Sequence, residues 1–162
     1  MSAAVATAAS DVSALAGKYL TFALAREEYG LPVLKVREIM KVMEITSVPQ
    51  APHHVRGVIN LRGKVIPVVD LRLKFGFPSQ EFDERTCIIV VEVSLQNSRV
   101  MMGVVVDAVS EVLTISGEEI EPTPQFGDRV NTEFMKGVAK VKGKVKFLLD
   151  LDRILGGSST QF

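Results

Sequence analysis

The sequence predicts an all-β protein made of two related halves, and three observations support this fold class. Its apolar residues fall in short runs rich in β-branched residues, such as CIIVVEV at residues 87–93. These runs are separated by turns that contain Gly or Pro, and few positions favour helix. A long segment of the first half also recurs in the second half. Short strands at regular spacing are typical of small barrels or of a sandwich.

The internal repeat is the strongest of these observations. Residues 56–76 align without a gap with residues 136–156, and eight of the 21 positions are identical. A second alignment, at an offset of 73 instead of 80, pairs residues 29–40 with residues 102–113. Two copies predict a pseudo-symmetric pair and not a solenoid. The identical positions of the longer alignment are, in the first copy, Gly57, Val58, Gly63, Lys64, Val65, Asp70, Leu71 and Gly76.

Each repeat is predicted to hold about five strands and a short helix. Asp70 is a good N-cap and Gly76 a good C′ residue, so the helix between them has one or two turns. About 70 residues is little for an isolated barrel, so we expect the halves to share a core, and exchange of a strand between them is one way to do so. The predicted organisation is a flexible tail over residues 1–16, a domain over 17–156 with repeats at about 17–77 and 84–156, and a flexible end over 157–162.

The two hairpins differ in the face that they are expected to show to solvent. In the second copy four lysines alternate with apolar residues from position 140 to position 146, which predicts a solvated face. With a three-residue loop, the same register in the first copy points an amide, a guanidinium and two aliphatic side chains outward. This mixture of polar and apolar side chains favours a protein-contact surface. The alternative is a purely structural role, in which the other half covers the two aliphatic residues and Arg62 only pairs with Glu38. The predicted outward set is Asn60, Arg62, Lys64, Ile66 and Val68; the inward set is Ile59, Leu61, Val65, Pro67 and Val69.

Composition narrows the classes of function. Lys plus Arg equals Asp plus Glu at 19 each, which argues against a general nucleic-acid binder. No window approaches the ~18 apolar residues of a membrane span, and the Ala/Ser-rich start lacks the features of a signal peptide. The lone Cys87 cannot form an internal disulfide, which fits a reducing compartment. We therefore expect a cytoplasmic protein that does not insert into the membrane.

Catalytic and metal-binding motifs are not found in the sequence. The adjacent His53 and His54 cannot easily share one metal, and no CxxC, HxxxH or calcium-loop spacing occurs. A GxSxG elbow and a GxxxxGK[ST] phosphate loop are also missing. We expect no catalytic residue, no metal and no cofactor.

One long segment carries a family resemblance. VREI at residues 36–39, followed by VPQAPHHVRGVINLRGKVIPVVDLR at residues 48–72, resembles the CheW family of bacterial chemotaxis coupling proteins. The likeness extends over about residues 17–156. The resemblance implies two SH3-like five-stranded barrels around a shared core. It also implies a non-catalytic adaptor between the cytoplasmic tips of chemoreceptors and the regulatory domain of the histidine kinase CheA.

The resemblance also assigns residues to the partners. A receptor helix is expected to dock near the first copy, which implies receptor-binding roles for Val36, Glu38, Asn60 and Arg62. The hairpin with Gly57, Gly63 and Ile66 is expected to serve the receptor or the kinase. Lys142 occupies the position equivalent to Arg62 and is expected to contribute little to receptor binding.

Three other interpretations remain open from the sequence. An isolated kinase regulatory domain has the same fold but normally belongs to a longer chain, as does a receiver-linked coupling protein of the CheV type. A pair of small-molecule-binding barrels is the alternative from another class. A closed pocket near Arg62 would favour the small molecule, whereas a shallow open groove would favour a helix.

Overall fold

The computed structural model of this protein describes residues 14–124 and 134–156. Most of the two predicted tails, residues 1–13 and 157–162, therefore lies outside the described residues. In this part of the chain the strands are β1 (Gly17–Leu24), β2 (Glu27–Pro32), β3 (Val36–Lys41), β4 (Val55–Leu61), β5 (Lys64–Asp70), β6 (Cys87–Leu95), β7 (Ser98–Val106), β8 (Ala108–Ile115), β9 (Ile120–Glu121), β10 (Met135–Val141) and β11 (Lys144–Leu149). The helices are α1 (Leu71–Lys74) and α2 (Leu151–Gly156), with 3₁₀ turns at Val33–Lys35 and Gly117–Glu119.

The strands form two sheets that correspond to the two predicted barrels. One sheet has the order β8-β1-β2-β11-β10-β9, and the other has the order β3-β6-β7-β5-β4. The strand β9 is only two residues long, so each sheet has five strands of substantial length. The all-β prediction, with two small barrels and short helices, is confirmed.

Each sheet contains strands from both repeats. The hairpin β1–β2 of the first repeat lies beside β8 and β11 of the second, and the hairpin β6–β7 lies beside β3 and β5 of the first. The junctions β2–β11 and β5–β7 are parallel, and each has an aligned glycine, Gly30 or Gly103. A Cβ at Gly30 would lie 3.1 Å from Leu148 Cδ2, and one at Gly103 would lie 2.8 Å from Ile88 Cγ2. Side chains of the neighbouring strands therefore occupy the space that a Cβ would need at this repeated glycine.

The core joins the two repeats. Its largest cluster includes Phe22 and Leu31 from the first repeat, and Ile89, Met102 and Leu149 from the second. Two smaller clusters each lie within one sheet. Because most of the apolar burial is shared, neither half buries its apolar surface alone.

The hairpin turns contain two residues and not three, so the predicted register is wrong. Arg62 and Gly63 have φ values of 52° and 87°, the positive pattern of a type I′ turn. Ile59 therefore pairs with Ile66, and both side chains are buried. The outward prediction for Ile66 fails, because its side chain is only 2% exposed. Val68 is fully buried as well, whereas Val65, which was predicted inward, is 68% exposed.

The second hairpin also has a two-residue turn, and this changes the prediction that its lysines all face solvent. Its turn is formed by Lys142 and Gly143, again with positive φ at both residues. Lys140, Lys142 and Lys144 are exposed as predicted, but Lys146 is buried. The prediction of four solvated lysines is therefore wrong at Lys146, whose ammonium group pairs with a carboxylate of the first repeat.

The helix boundaries follow the predicted capping residues. The Asp70 carboxylate accepts a hydrogen bond from the Arg72 N–H at 3.0 Å, and Gly76 has a φ of 85° just beyond α1. In the second repeat the Asp150 carboxylate accepts from the Arg153 N–H at 3.2 Å. Within residues 14–124 and 134–156, no helix has the length and hydropathy that crossing a membrane requires.

Candidate partner-binding surface

The turn of the first hairpin places its polar residues at the surface. Asn60 is exposed, and its side-chain Oδ1 accepts a hydrogen bond from the Gly63 N–H at 2.9 Å. This bond stabilises the turn, as asparagine side chains often do beside tight turns. A Cβ at Gly63 would meet no atom within 4 Å, so its glycine is explained by the positive φ alone. Asn60 therefore has a structural task in addition to its predicted contact role.

Arg62, in the turn between β4 and β5, forms an ion pair with Glu38 of β3. The guanidinium donates to both carboxylate oxygens, and the longer contact, from Nη1 to Oε2, is 3.4 Å. The Arg62 side chain remains 72% exposed. This hydrogen bond lowers the pKa of the Glu38 carboxyl and raises the pKa of the Arg62 guanidinium. The pair is thus charged and reachable from solvent, so a partner could bind it without displacing the core.

Strand β3 positions Glu38 beside a bulge. Val36 pairs with Val91 and Glu38 pairs with Val90, so Arg37 is the extra residue between them. Arg37 is held by Glu92, with Nε 2.9 Å and Nη2 2.6 Å from Oε1. Val36 is half-buried and packs on the shared core. Val36 and Glu38 are both half-buried, whereas Asn60 and Arg62 are exposed.

Gly57 supports the hairpin from inside. It is buried with a φ of 144°, and a Cβ there would lie 2.0 Å from the Thr46 carbonyl oxygen. Thr46 and Val58 exchange two backbone hydrogen bonds of 2.8 and 2.9 Å, which tie the preceding loop to β4. The glycine makes this close approach possible. Gly57 shapes the hairpin and presents no side chain to a partner.

An open groove runs beside the hairpin. It has a volume of about 580 Å³ and is largely apolar, with two cationic side chains at positions 64 and 99. Buried Ile66 contributes to the groove, so this residue takes part in the shape of the surface despite its wrong predicted orientation. The exposed Val65 also lines the groove, and sequence reasoning missed it. The two-residue Arg-Gly turn signal could have revealed it. The lining residues are Lys64, Val65, Ile66, Pro67, Leu95, Arg99, Val100, Met101 and Met102.

The second repeat does not reproduce this surface. Lys142 corresponds to Arg62 and Glu111 to Glu38, yet no ion pair joins them in the described part of the chain. Lys140 instead pairs with Glu121 at 2.7 Å. The combination of an exposed Arg–Glu pair and an apolar groove is a property of the first hairpin.

The candidate metal-binding and nucleophilic side chains His53, His54 and Cys87 lie in the described part of the chain. Residues 14–124 and 134–156 contain no group of three His, Cys, Asp or Glu side chains placed to hold a metal ion. His53 and His54 have ring centroids 6.0 Å apart in an edge-to-face arrangement. The Cys87 Sγ lies 3.4 Å from the Arg85 carbonyl oxygen.

Comparison with known proteins decides the family. The model of the CheW-like domain matches residues 18–158, which is most of the chain. The chain belongs to the CheW family. It is 37% identical to the chemotaxis protein CheW of Klebsiella aerogenes over 151 residues, which cover 90% of this chain and 89% of the relative. It is 38% identical to the CheW of Rhizobium meliloti over 135 residues, which cover 83% and 84% of the two chains.

A solved structure agrees with this assignment. The crystal structure of the scaffolding protein TtCheW from Thermoanaerobacter tengcongensis matches with a TM-score of 0.79 and 35% sequence identity. The match covers 91% of this chain and 98% of that one. This CheW-family chain is a chemotaxis coupling adaptor and not an enzyme. The interpretations as a small-molecule-binding barrel pair or an isolated kinase domain are not favoured, and the partners belong to chemotaxis signalling arrays.

Proposed function

We propose that this adaptor connects the cytoplasmic domain of a chemoreceptor to the regulatory domain of the histidine kinase CheA, in the cytoplasm. The receptor-binding surface consists of Glu38 and Arg62 with the neighbouring Asn60 and the accessible edge of Val36. The observation that carries this proposal is the exposed Arg62–Glu38 pair on the turn of the first hairpin. A charged fork beside apolar surface is the composition found at energetically important contact sites.

The shape of the neighbouring surface favours a helical partner over a small molecule. The groove of about 580 Å³ is largely apolar and open to solvent, which suits the apolar side of a helix. A small-molecule site instead encloses most of its ligand. Gly57 and Gly63 contribute by fixing the hairpin that borders the groove, and Ile66 contributes from below the surface.

The first test removes the guanidinium. Arg62→Ala should weaken capture of a receptor cytoplasmic fragment by about tenfold, the effect of losing one well-placed arginine contact. The melting temperature should change little, because the Arg62 side chain is mostly exposed. Equal losses of binding and of thermal stability would show that Arg62 is structural and would contradict the proposal.

Lys142→Ala is the matched control for this test. Lys142 occupies the same turn position in the second hairpin, with a φ of 54° against 52° for Arg62. The control therefore carries the same strain and loses the same charge without touching the Arg62–Glu38 pair. We expect receptor capture to stay at the wild-type level. Equal effects of the two variants would refute the assignment of binding to the first hairpin.

A charge exchange separates direct contact from support of the fold. The double variant E38R/R62E keeps an ion pair at the same place but reverses the charges that a partner meets. We expect it to retain thermal stability while receptor binding stays low. Recovery of receptor binding in the double variant would mean that the pair acts only within the fold.

A further inference from the structure

We propose that three polar contacts select the exchanged arrangement of the hairpins within one chain. In the observed arrangement, β1–β2 lies in the sheet with β8 and β11, and β6–β7 lies in the sheet with β3 and β5. In the alternative, own-repeat arrangement, each hairpin would lie in a sheet with the other strands of its own repeat. Each contact favours the observed arrangement over the own-repeat arrangement. The three contacts are Arg72 with Asp107, Asp152 with Lys35, and Lys146 with Glu28.

The first contact joins α1 of the first repeat to the link that follows β7. Arg72 donates to Asp107 through two bonds, 2.8 Å from Nε to Oδ1 and 3.0 Å from Nη2 to Oδ2. The two side chains are only 15% and 22% exposed. Asp107 Oδ2 also accepts the Ala25 N–H at 2.8 Å, at the tip of the other exchanged hairpin. This carboxylate therefore contacts both the helix of the first repeat and the hairpin that leaves it.

The second contact has the same place in the other repeat but the opposite polarity. Asp152 occupies the position equivalent to Arg72, and it pairs with Lys35 in the 3₁₀ turn after β2, with Nζ 3.3 Å from Oδ2. Lys35 lies one residue beyond the position equivalent to Asp107. The Ser94 N–H donates to Asp152 Oδ1 at 3.0 Å. The helix-side group is thus a cation in the first repeat and an anion in the second.

This inversion of charge distinguishes the two possible arrangements. If β1–β2 returned to its own repeat, Lys35 would face Arg72. If β6–β7 returned likewise, Asp107 would face Asp152. Both ion pairs would become like-charge contacts between partly buried groups, which repel. If the helix-side residue were a cation in both repeats, the ion pairs would be attractive in both arrangements and would favour neither.

The third contact is a charged pair in one sheet whose equivalent positions in the other sheet are apolar. Lys146 lies opposite Glu28 in the parallel junction of β11 with β2, and its side chain is only 7% exposed. The equivalent positions in the other sheet are Ile66 and Met101, which line the same groove. In the own-repeat arrangement Lys146 would face Met101, leaving a buried ammonium group without its carboxylate. A buried charge that lacks its partner is strongly unfavourable.

The test first reverses the charges of Lys35 and Asp107, which follow the exchanged hairpins. It then reverses the charges of their helix partners Arg72 and Asp152. In the K35D/D107K variant, native pairing creates two like-charge contacts and own-repeat pairing creates two ion pairs. After refolding from urea, we expect the ratio of native monomer to other species to fall by about tenfold, the combined effect of two reversed pairs. Native monomer is identified by size exclusion and by nuclear Overhauser contacts between the rings of Tyr29 and Phe147, whose centroids are 5.6 Å apart across the exchanged junction.

Adding R72D and D152R to this variant restores two attractive pairs with inverted polarity. We expect this fourfold variant to recover native monomer relative to K35D/D107K, although the Ala25 N–H still lacks the Asp107 carboxylate. Wild-type refolding of K35D/D107K would overturn the proposal. A loss in K35D/D107K that the added changes do not rescue would overturn it too, because the residues would then act only as local structure.

The exchange of Lys140 and Glu121 provides the control. These residues form an ion pair within the second repeat, with Nζ 2.7 Å from the carboxylate, and both are more than half exposed. The K140E/E121K variant should refold like the wild type, because this pair is the same in both arrangements. A refolding loss as large as that of K35D/D107K would contradict the specific role of the contacts between repeats.

Discussion

At the scale of single residues, the two glycines of the first hairpin have different physical tasks. Gly57 has no space for a Cβ, because the Thr46 carbonyl oxygen occupies that place, whereas Gly63 lies in open space and needs only its positive φ. Gly57→Ala should lower the free energy of unfolding by about 3 kcal/mol, since backbone must move. Gly63→Ala should lower it by about 1 kcal/mol, the penalty for a left-handed non-glycine residue. Urea denaturation measures both, and equal effects would contradict this distinction.

A second prediction at this scale concerns His54 and pH. Burial, followed by the charges of Lys74 and His53, lowers the pKa of His54. The unfolded chain therefore takes up this proton at a higher pH than the folded protein does. The stability contributed by neutral His54 is complete above about pH 6.5 and is lost as the pH falls through the folded pKa.

Urea denaturation between pH 7 and pH 5, with and without His54→Gln, tests this linkage. The wild type should lose more stability over this range than the variant. Ring resonances of His54 followed by NMR should show the lowered pKa directly. An identical pH dependence for the two proteins would contradict the prediction.

At the scale of elements, the ion pair of the buried Lys146 with the half-exposed Glu28 holds β11 against β2. The hydrogen bond from Lys146 lowers the pKa of the Glu28 carboxyl. Glu28→Gln should reduce the free energy of unfolding by about 3 kcal/mol, because the buried ammonium group loses its counter-charge. Lys146→Met should cost less, about 1 kcal/mol, because Glu28 is 37% exposed and retains some water. Thermal unfolding of the two variants would refute this ranking if Lys146→Met were the more damaging.

The elements also show where sequence reasoning succeeds and where it fails. The capping residue Asp70, the C′ glycine Gly76 and the repeated hairpins follow from local chemistry, and local chemistry could be predicted. The orientation of Val65 and Ile66 depended on whether the turn holds two or three residues, because a shift of one residue exchanges the two faces of a strand. The burial of Lys146 could not be read from alternation, because its carboxylate lies in the other repeat.

The receptor-binding roles could be predicted less fully from the sequence than the fold could. The pattern of residues 36–72 could be recognised in the sequence, and the structure places Arg62 and Glu38 in contact. Which partner binds there depends on a second molecule, so those roles remain proposals. The domain boundaries at residues 17 and 156 also remain predictions.

At the scale of the whole molecule, duplication gives one chain two related but unequal hairpins. The first presents an exposed ion pair beside an apolar groove, while the second buries its lysine against the first repeat. The proposed coupling role requires two modest interfaces, and weak contacts gain strength when many copies assemble together. The inequality between the repeats would let one adaptor contact two different proteins.

Co-sedimentation of this protein with receptor cytoplasmic fragments and a CheA kinase tests that central claim most directly. The kinase should pellet with assembled receptor fragments only when the adaptor is present, and Arg62→Ala should reduce its recovery while Lys142→Ala should not. Kinase recovery that is independent of the adaptor, or an adaptor that stays in the supernatant with both partners present, would contradict the coupling role.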